Sequence, residues 1–288
     1  MLRVKIEGSY KLIYINTNDN IYDLESGWDA TTYDRISKIQ ESWGHEVLER
    51  RRWKENERVL DAGCGSGKIT KVISTKVPKG KVFAVDSDLS MITIAKENLE
   101  EISNIQYKKT DLSEIYLDEK VDVVFSNATL HWILNHRKMF EHFWEILKPN
   151  GELLIQCGGY GEFAKTLPIF NKVRKSHQFY NYFCNDKGED TWKQPWYFAK
   201  KEDTEKMLKE IGFKNIQISL ENREYEFNNK EEYFLFIKTV ILQPYLKYLP
   251  NETLKDRFAK SVVEEIEDNV KELQWKLDFV RLNINAVK

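Results

Sequence analysis

The stretch Arg58-Val59-Leu60-Asp61-Ala62-Gly63-Cys64-Gly65-Ser66-Gly67 constrains this chain more than any other. Val59 and Leu60 read as the end of a buried strand. Asp61 opens a turn with glycine at 63, 65 and 67, and Ile69, Val72 and Ile73 follow at helical spacing. The order is strand, tight turn, helix. Glycine tolerates positive φ and lets another molecule approach the backbone with no Cβ in the way. The helix start beyond it offers unpaired N–H groups and positive dipole potential, which suit an anionic group. The spacing departs from two familiar loops. For the dinucleotide turn G-x-G-x-x-G, Gly67 comes one residue early. For the phosphate loop G-x-x-x-x-G-K-[ST], Ile69 stands where the hydroxyl belongs and Ala62 where the first glycine belongs. A glycine turn that is purely structural stays open at this point.

The strand–helix alternation continues. Pro78-Lys79-Gly80 turns the chain into Val82-Phe83-Ala84-Val85-Asp86, a strand that ends on an acid. Ser90 is the expected N-cap of a helix carrying Met91, Ile94, Ala95 and Leu99. Ile105-Gln106-Tyr107-Lys108-Lys109 reads as a third strand, followed by Asp111-Leu112. That aspartate suits a turn cap as well as it suits accepting from an amino group. Val121 to Asn127 is apolar on both faces, as a central parallel strand should be, and it runs into Ala128-Thr129-Leu130-His131-Trp132. Phe140, Phe143, Trp144 and Leu147 form a helical stripe expected to stop at Pro149-Asn150-Gly151, with a fifth strand over residues 152–157. Short turns between alternating strands and helices predict a parallel sheet with helices on both faces.

Taken together, Asp61-x-Gly63-x-Gly65-x-Gly67, Asp86 at the end of the next strand, Asp111-Leu112, and the stretch from Asn127 to Trp132 resemble the Rossmann-like S-adenosylmethionine (SAM) methyltransferases. The leading segment with Trp28, Tyr33 and Gln40 and the stretch around His131-Trp132 resemble the trans-aconitate and malonyl-carrier-protein O-methyltransferase group, over roughly residues 28–286. The resemblance implies an α/β fold: a doubly wound, mostly parallel seven-stranded sheet with an antiparallel last strand, plus a helical cap from two insertions. It implies a division into a hairpin extension (1–27), a cofactor-binding core (28–157), a cap insertion (158–202), a core helix and strand (203–227), a helical cap (228–275) and a final strand (276–288). It implies cofactor contacts from Asp61, Gly63, Cys64, Gly65, Asp86, Ser87, Met91, Asp111, Leu112, Asn127, Ala128 and Trp132. In this group Asp86 would take the ribose hydroxyls, by the logic of acidic residues in dinucleotide folds, and Asp111 would sit near the adenine amine. Trp28, Tyr33, Gln40, Trp43 and His131 would belong to a lid or to the acceptor side, with Trp43 also reading as core.

The transferred group would be a methyl, and a carboxylate acceptor needs no base because it is already ionised at neutral pH. Hydroxyl or amine acceptors would need one, and His131 is the nearest candidate. A carboxylate substrate also predicts a cation in the cap, where Arg174, His177, Lys238 and Arg257 are available. The acceptor is therefore read as a small molecule or a carrier-linked acid. An RNA or protein methyltransferase is the second reading, and a SAM-binding scaffold without turnover the third. Lys+Arg 44 against Asp+Glu 46 gives a net charge of −2, which argues against broad electrostatic binding to nucleic acid. The basic run Arg50-Arg51-Arg52-Trp53-Lys54 reads as a solvated helix end. Three scattered cysteines support neither zinc nor a disulfide framework, and no apolar run approaches a membrane span. A cytoplasmic, metal-free protein of unspecified oligomeric state is the expectation.

Overall fold

The computed structural model describes residues 31–288. Of the earlier chain it gives secondary structure alone, at β1 (Leu2–Ile6), β2 (Ser9–Ile15), β3 (Ile21–Asp23) and the start of α1 (Ala30–Ile36). Strands β1, β2 and β3 form an antiparallel sheet, with Leu2 opposite Ile13 and Ile6 opposite Ser9. Trp28 lies outside the described residues.

There follow α2 (Lys38–Leu48), β4 (Arg58–Ala62), α3 (Lys68–Lys76), β5 (Lys81–Asp86), α4 (Leu89–Asn98), β6 (Ile105–Lys109), β7 (Val121–Asn127), α5 (His136–Ile146) and β8 (Leu147–Gly158). The remainder is α6 (Leu167–Arg174), α7 (Lys201–Ile211), β9 (Lys214–Glu226), α8 (Lys230–Phe236), a π-turn at Ile237–Ile241, α9 (Gln243–Leu246), α10 (Glu252–Asn269) and β10 (Lys276–Val287). One seven-stranded sheet runs in the order β6-β5-β4-β7-β8-β10-β9. Strands β4, β5, β6 and β7 pair in parallel, and β10 lies antiparallel to β9. This is the fold class expected from the sequence.

Packing divides the chain into two units, Met1–Asn127 with Glu141–Leu154, and Ala128–Phe140 with Ile155–Lys288. In the first, Val59, Val82, Val123 and Phe125 from neighbouring strands pack with Ile69, Ile73 and Val77 around α3 and with Val47 and Leu48 of α2. Each such side chain contributes about 1.5–3 kcal/mol by leaving water, so the strand ends that carry the polar residues rest on a stiff base. In the second, Gly212 at φ +118 ends α7, and the N–H groups of Gly212 and Phe213 close back onto Leu208 O. Rings from the segments before and after β9 pack together there, Phe179 on Phe258 at 5.0 Å and Phe183 near Tyr245 at 6.3 Å.

Four local expectations are corrected. Asp88, not Ser90, caps α4: its Oδ1 accepts from Ser90 N at 2.8 Å and Met91 N at 3.3 Å. Both residues are good caps, and the carboxylate two positions earlier reaches the first free amides. Ile36, Ile39, Trp43 and Val47 fall at the spacing of one helical face, but the chain breaks at Ser37 into α1 and α2. Helix α5 ends at Ile146 and β8 begins at Leu147, earlier than the Pro149-Asn150-Gly151 stop suggested. Arg51 is no solvated helix end: its guanidinium grips both oxygens of Glu57 at 2.8 Å, donates to Glu152 at 3.1 Å and lies 4.6 Å from the Trp53 ring.

Candidate functional site

In the first unit, β4 ends at Ala62 and the backbone turns through three left-handed glycines, Gly63 (φ +82), Gly65 (φ +53) and Gly67 (φ +90). A side chain at such φ costs about 1–2 kcal/mol, which accounts for the residue type at all three. The N–H groups of Gly63 and Cys64 both donate to Val85 O, at 2.8 and 2.9 Å, so the turn is fastened to the end of β5. Asp86 completes that fastening. Its Oδ2 accepts from Gly65 N at 3.0 Å and its Oδ1 from Asp88 N at 2.9 Å. Burial pushes the Asp86 carboxyl up to about 6, against the pull of those backbone donors.

Asp61 faces inward rather than into the turn. It is buried and accepts from Thr70 Oγ1 at 2.6 Å, bracing β4 against α3, and burial pushes it up to about 7. Cys64 packs with Ala84 and Ile92. Ser87 is exposed beside Asp86, Met91 is buried in the first turn of α4, and Leu112 is buried. Exposed Asp111 caps a 3-10 turn, its Oδ1 accepting from both the N–H and the hydroxyl of Ser113 at 2.7 Å.

Helices α1 and α2 cover this turn. Gly65 faces the Tyr33 ring, a Cβ built on it lying 3.8 Å from Tyr33 Cε1. Asp34 accepts from Ser66 Oγ at 2.5 Å, Lys68 Nζ donates to Asp34 O, and Lys68 pairs with Glu41 at 3.3 Å. Asn127 at the end of β7 donates from Nδ2 to the Gln40 carbonyl at 2.6 Å. Gly44 lets α2 lie flush on α3, since a Cβ there would stand 2.6 Å from Ile69 Cγ1. The Gln40 Oε1 atom is buried with no hydrogen-bond partner among the described residues, and Trp43 is buried on the inner face of α2. Tyr33, Gln40, Asp86, Asn127 and the glycine turn therefore share one locale. Asp34, Glu41, Ser66 and Lys68, which bind the covering helices to it, were not found from sequence. Their partners stand 27 to 34 residues away, and no local pattern marks them.

The second unit opens with Ala128 at φ +55, its N–H donating to Gln156 O at 2.8 Å. A left-handed alanine is strained, and such strain gathers at working loops. His131 is buried, its Nδ1 accepts from Gly158 N at 3.2 Å, and its ring lies 5.6 Å from Trp132 and 5.9 Å from Phe198. Burial, then the charge of Arg281, hold it well below the ordinary histidine value. Both effects favour the neutral ring, whose Nδ1 lone pair is engaged by Gly158 N–H. Here His131 holds a backbone amide and packs between the Trp132 and Phe198 rings.

Half-buried Trp132 begins a row of rings: Trp196 at 5.6 Å, then Tyr245 at 6.2 Å from Trp196, then Trp192 at 4.0 Å from Tyr245. Of the cap cations, His177 and Arg257 are exposed and Lys238 pairs with Asp256 at 2.6 Å, whereas Arg174 is buried beside Asp190, Phe183 and Trp192. Among the described residues no three His, Cys, Asp or Glu side chains gather to hold a metal ion, and no helix is long and apolar enough to cross a membrane.

The family model of a methyltransferase domain matches residues 53–225. A protein named as a methyltransferase in Invertebrate iridescent virus 6 is 31% identical over 75% of this chain and 89% of its own length. A malonyl-[acyl-carrier protein] O-methyltransferase of Bacillus cereus is 30% identical over 53% of this chain, and the match spans 58% of that relative. Among solved structures, a Haemonchus contortus phosphoethanolamine N-methyltransferase 2, in complex with phosphomonomethylethanolamine and S-adenosylhomocysteine, aligns with TM-score 0.60 at 20% identity. The alignment covers 91% of this chain and 57% of that one.

Proposed function

The chain belongs to the methyltransferase-domain family and is a SAM-dependent methyltransferase, and from that premise we propose that it methylates a carboxylate oxygen of a small-molecule or carrier-linked acceptor. The observation that carries the carboxylate is the state of His131, the one candidate base that the sequence offered. Its Nδ1 is engaged by Gly158 N–H and burial lowers its affinity for a proton, which supports an acceptor that needs no base. An ionised carboxylate attacks without losing a proton. The O-methyltransferase relative acts on a malonyl group, by its name, and agrees in chemistry.

The residues of the first unit fit an adenosyl cofactor by two tests on their own geometry. Gly65 presents bare backbone beneath Tyr33, and Gln40 Oε1 is a buried acceptor with no donor among the described residues. Asp86 would hold the ribose hydroxyls with the lone pairs left over from Gly65 and Asp88. Gly63, Cys64, Gly65 and Gln40 would hold the amino-acid end, and Ser87, Met91, Asp111 and Leu112 the base. SAM when bound supplies an electrophilic methyl on a sulfonium and departs neutral. The chain's work is then to orient the acceptor and exclude water: Tyr33 and Gln40 cover the turn.

Isothermal titration with SAM, followed by a screen of carboxylic acids, phenols and amines read as S-adenosylhomocysteine release, tests the proposal. Micromolar binding with release in the presence of carboxylic acids is expected. Release with amines or phenols, abolished by His131→Gln, overturns the carboxylate reading, and binding without release from any acceptor favours a scaffold.

A further inference from the structure

The two helices over the glycine turn are held in different ways. Helix α2 is seated by apolar packing. Ile39, Trp43, Val47 and Leu48 are buried on its inner face, and Gly44 lies so close to α3 that a Cβ there would stand 2.6 Å from Ile69 Cγ1. Helix α1 has no such seat. None of its residues from Thr31 to Ile36 is buried, and its fastening is polar. Asp34 Oδ1 accepts from Ser66 Oγ at 2.5 Å, and the Asp34 carbonyl accepts from Lys68 Nζ. The receiving side is fixed: Asn98 Nδ2 of α4 donates to Ser66 O at 3.0 Å, and Lys68 opens α3. Lys68 also pairs with Glu41 of α2 at 3.3 Å, so it bridges the two helices across the break at Ser37. The Lys68 and Asp34 side chains are 27% and 32% exposed. Water competes for such contacts, and they are weaker than the burial of a large apolar side chain.

We propose that α1 is a strap hinged at Ser37, that α2 stays seated while the strap opens, and that Asp34 and Lys68 are the positioning residues that latch it with the Tyr33 ring over Gly65. Opening lifts Tyr33 from the turn and lets SAM enter and S-adenosylhomocysteine leave. A break between two helices is where such a hinge can absorb the backbone change. The inference rests on the placement of the cofactor against the glycine turn and adds a moving part and its fastening. The latch joins protein to protein and needs no ligand. Loosening it therefore raises the open fraction of the free and the loaded protein alike, so association and dissociation quicken by one factor and Kd stays. A contact that merely shapes the site would instead quicken dissociation and weaken Kd, with no faster association.

The test uses the full chain. Release of tritiated SAM into excess unlabelled SAM gives the dissociation rate, stopped-flow tryptophan fluorescence on mixing gives the association rate, and titration gives Kd. Lys68→Met and Asp34→Ala are each expected to raise both rates about three- to tenfold, the worth of one partly exposed charged contact, with Kd within about twofold of the wild type. Asp34→Asn, which keeps an oxygen for the Ser66 hydroxyl, should return most of the slow exchange. Unchanged rates, or a weaker Kd without faster association, overturn the strap. Gly65→Ala tells the two readings apart. If it weakens SAM binding while the latch variants change neither rate, the cofactor placement stands and the strap falls. If it binds SAM as the wild type does, the placement falls and the strap with it.

Discussion

Gly65 and Gly67 share a backbone conformation but differ in what a side chain would meet, so replacing each by alanine separates stability from binding. At Gly65 (φ +53) a new Cβ meets only Tyr33 Cε1, at 3.8 Å. Its cost to folding is the left-handed backbone, on the order of 1 kcal/mol after the lower entropy of the unfolded alanine chain is counted. At Gly67 (φ +90) the Cβ stands 2.8 Å from Leu99 Cδ1 and 3.2 Å from Ala95 Cβ. Overpacking adds about 1–3 kcal/mol to the same backbone term. Gly67→Ala should therefore lose about 2–4 kcal/mol and Gly65→Ala about 1. The order inverts for the cofactor. The added methyl at 65 points at the space beneath Tyr33, and about 1–3 kcal/mol of overpacking there is roughly a 5- to 150-fold loss of SAM affinity. The methyl at 67 points into the packing of α3 on α4. Denaturant unfolding and isothermal titration, both below the unfolding temperature, give the two numbers for each variant. A Gly65→Ala protein that binds SAM as tightly as the wild type refutes the placement of the cofactor against this turn.

The remaining predictions concern buried charge. Asp86 ionises at about 6 and should hold hydroxyls best as the anion, so SAM affinity is expected to fall about tenfold per pH unit below that point. Titration across that range should show the slope, and Asp86→Asn should weaken binding and flatten it. Asp61 has a folded pKa of about 7 against an ordinary value of 3.8, so the folded state holds its proton more tightly. Its contribution to stability is fully present below about 3.8 and is lost as pH rises from there to about 7, by about 4 kcal/mol, with no further slope above. Asp61→Asn should remove that slope from denaturation curves, and an unchanged slope would refute the assignment. Arg281 and Glu162 form a buried pair at 3.0 Å, 2% and 3% exposed. Arg281→Met should cost about 3–5 kcal/mol by leaving Glu162 alone, and Glu162→Gln in the same chain should recover part of it; a loss under about 1 kcal/mol contradicts this.

What was legible in the sequence was local. The glycine turn follows from three glycines at alternate positions, and each proves to need positive φ. That an acid, Asp86, ends the second strand follows from its place just past an apolar run, and the parallel sheet follows from the alternation of strands and helices. What was not legible joins distant residues. Nothing near Asp34 announces Ser66, and nothing in Arg50-Arg51-Arg52 tells that the middle arginine turns inward to Glu57 and Glu152. The choice between Asp88 and Ser90 as a cap depends on which oxygen reaches a free amide, which composition does not decide. The amide that His131 Nδ1 accepts from, Gly158 N, lies 27 residues on, so no pattern near the histidine announces it. The π-turn before Tyr245 interrupts a helical period without any proline or glycine inside it.

The Glu162–Arg281 contact also disciplines the assembly of the sheet edge. Strand β10 buries Leu277, Phe279 and Arg281 along its first half and Leu282, Ile284 and Ala286 along its second, so hydrophobicity alone would accept a one-residue slip against β9. The slipped arrangement, however, would carry the guanidinium to the opposite side of the sheet, away from Glu162 Oε1, while the other Glu162 oxygen, Oε2, accepts from Val280 N. The pair thereby favours one register for the C-terminal strand, and Arg281→Met is expected, beyond its shift of the denaturant midpoint, to refold with a misaligned fraction seen as a second set of amide resonances for β10.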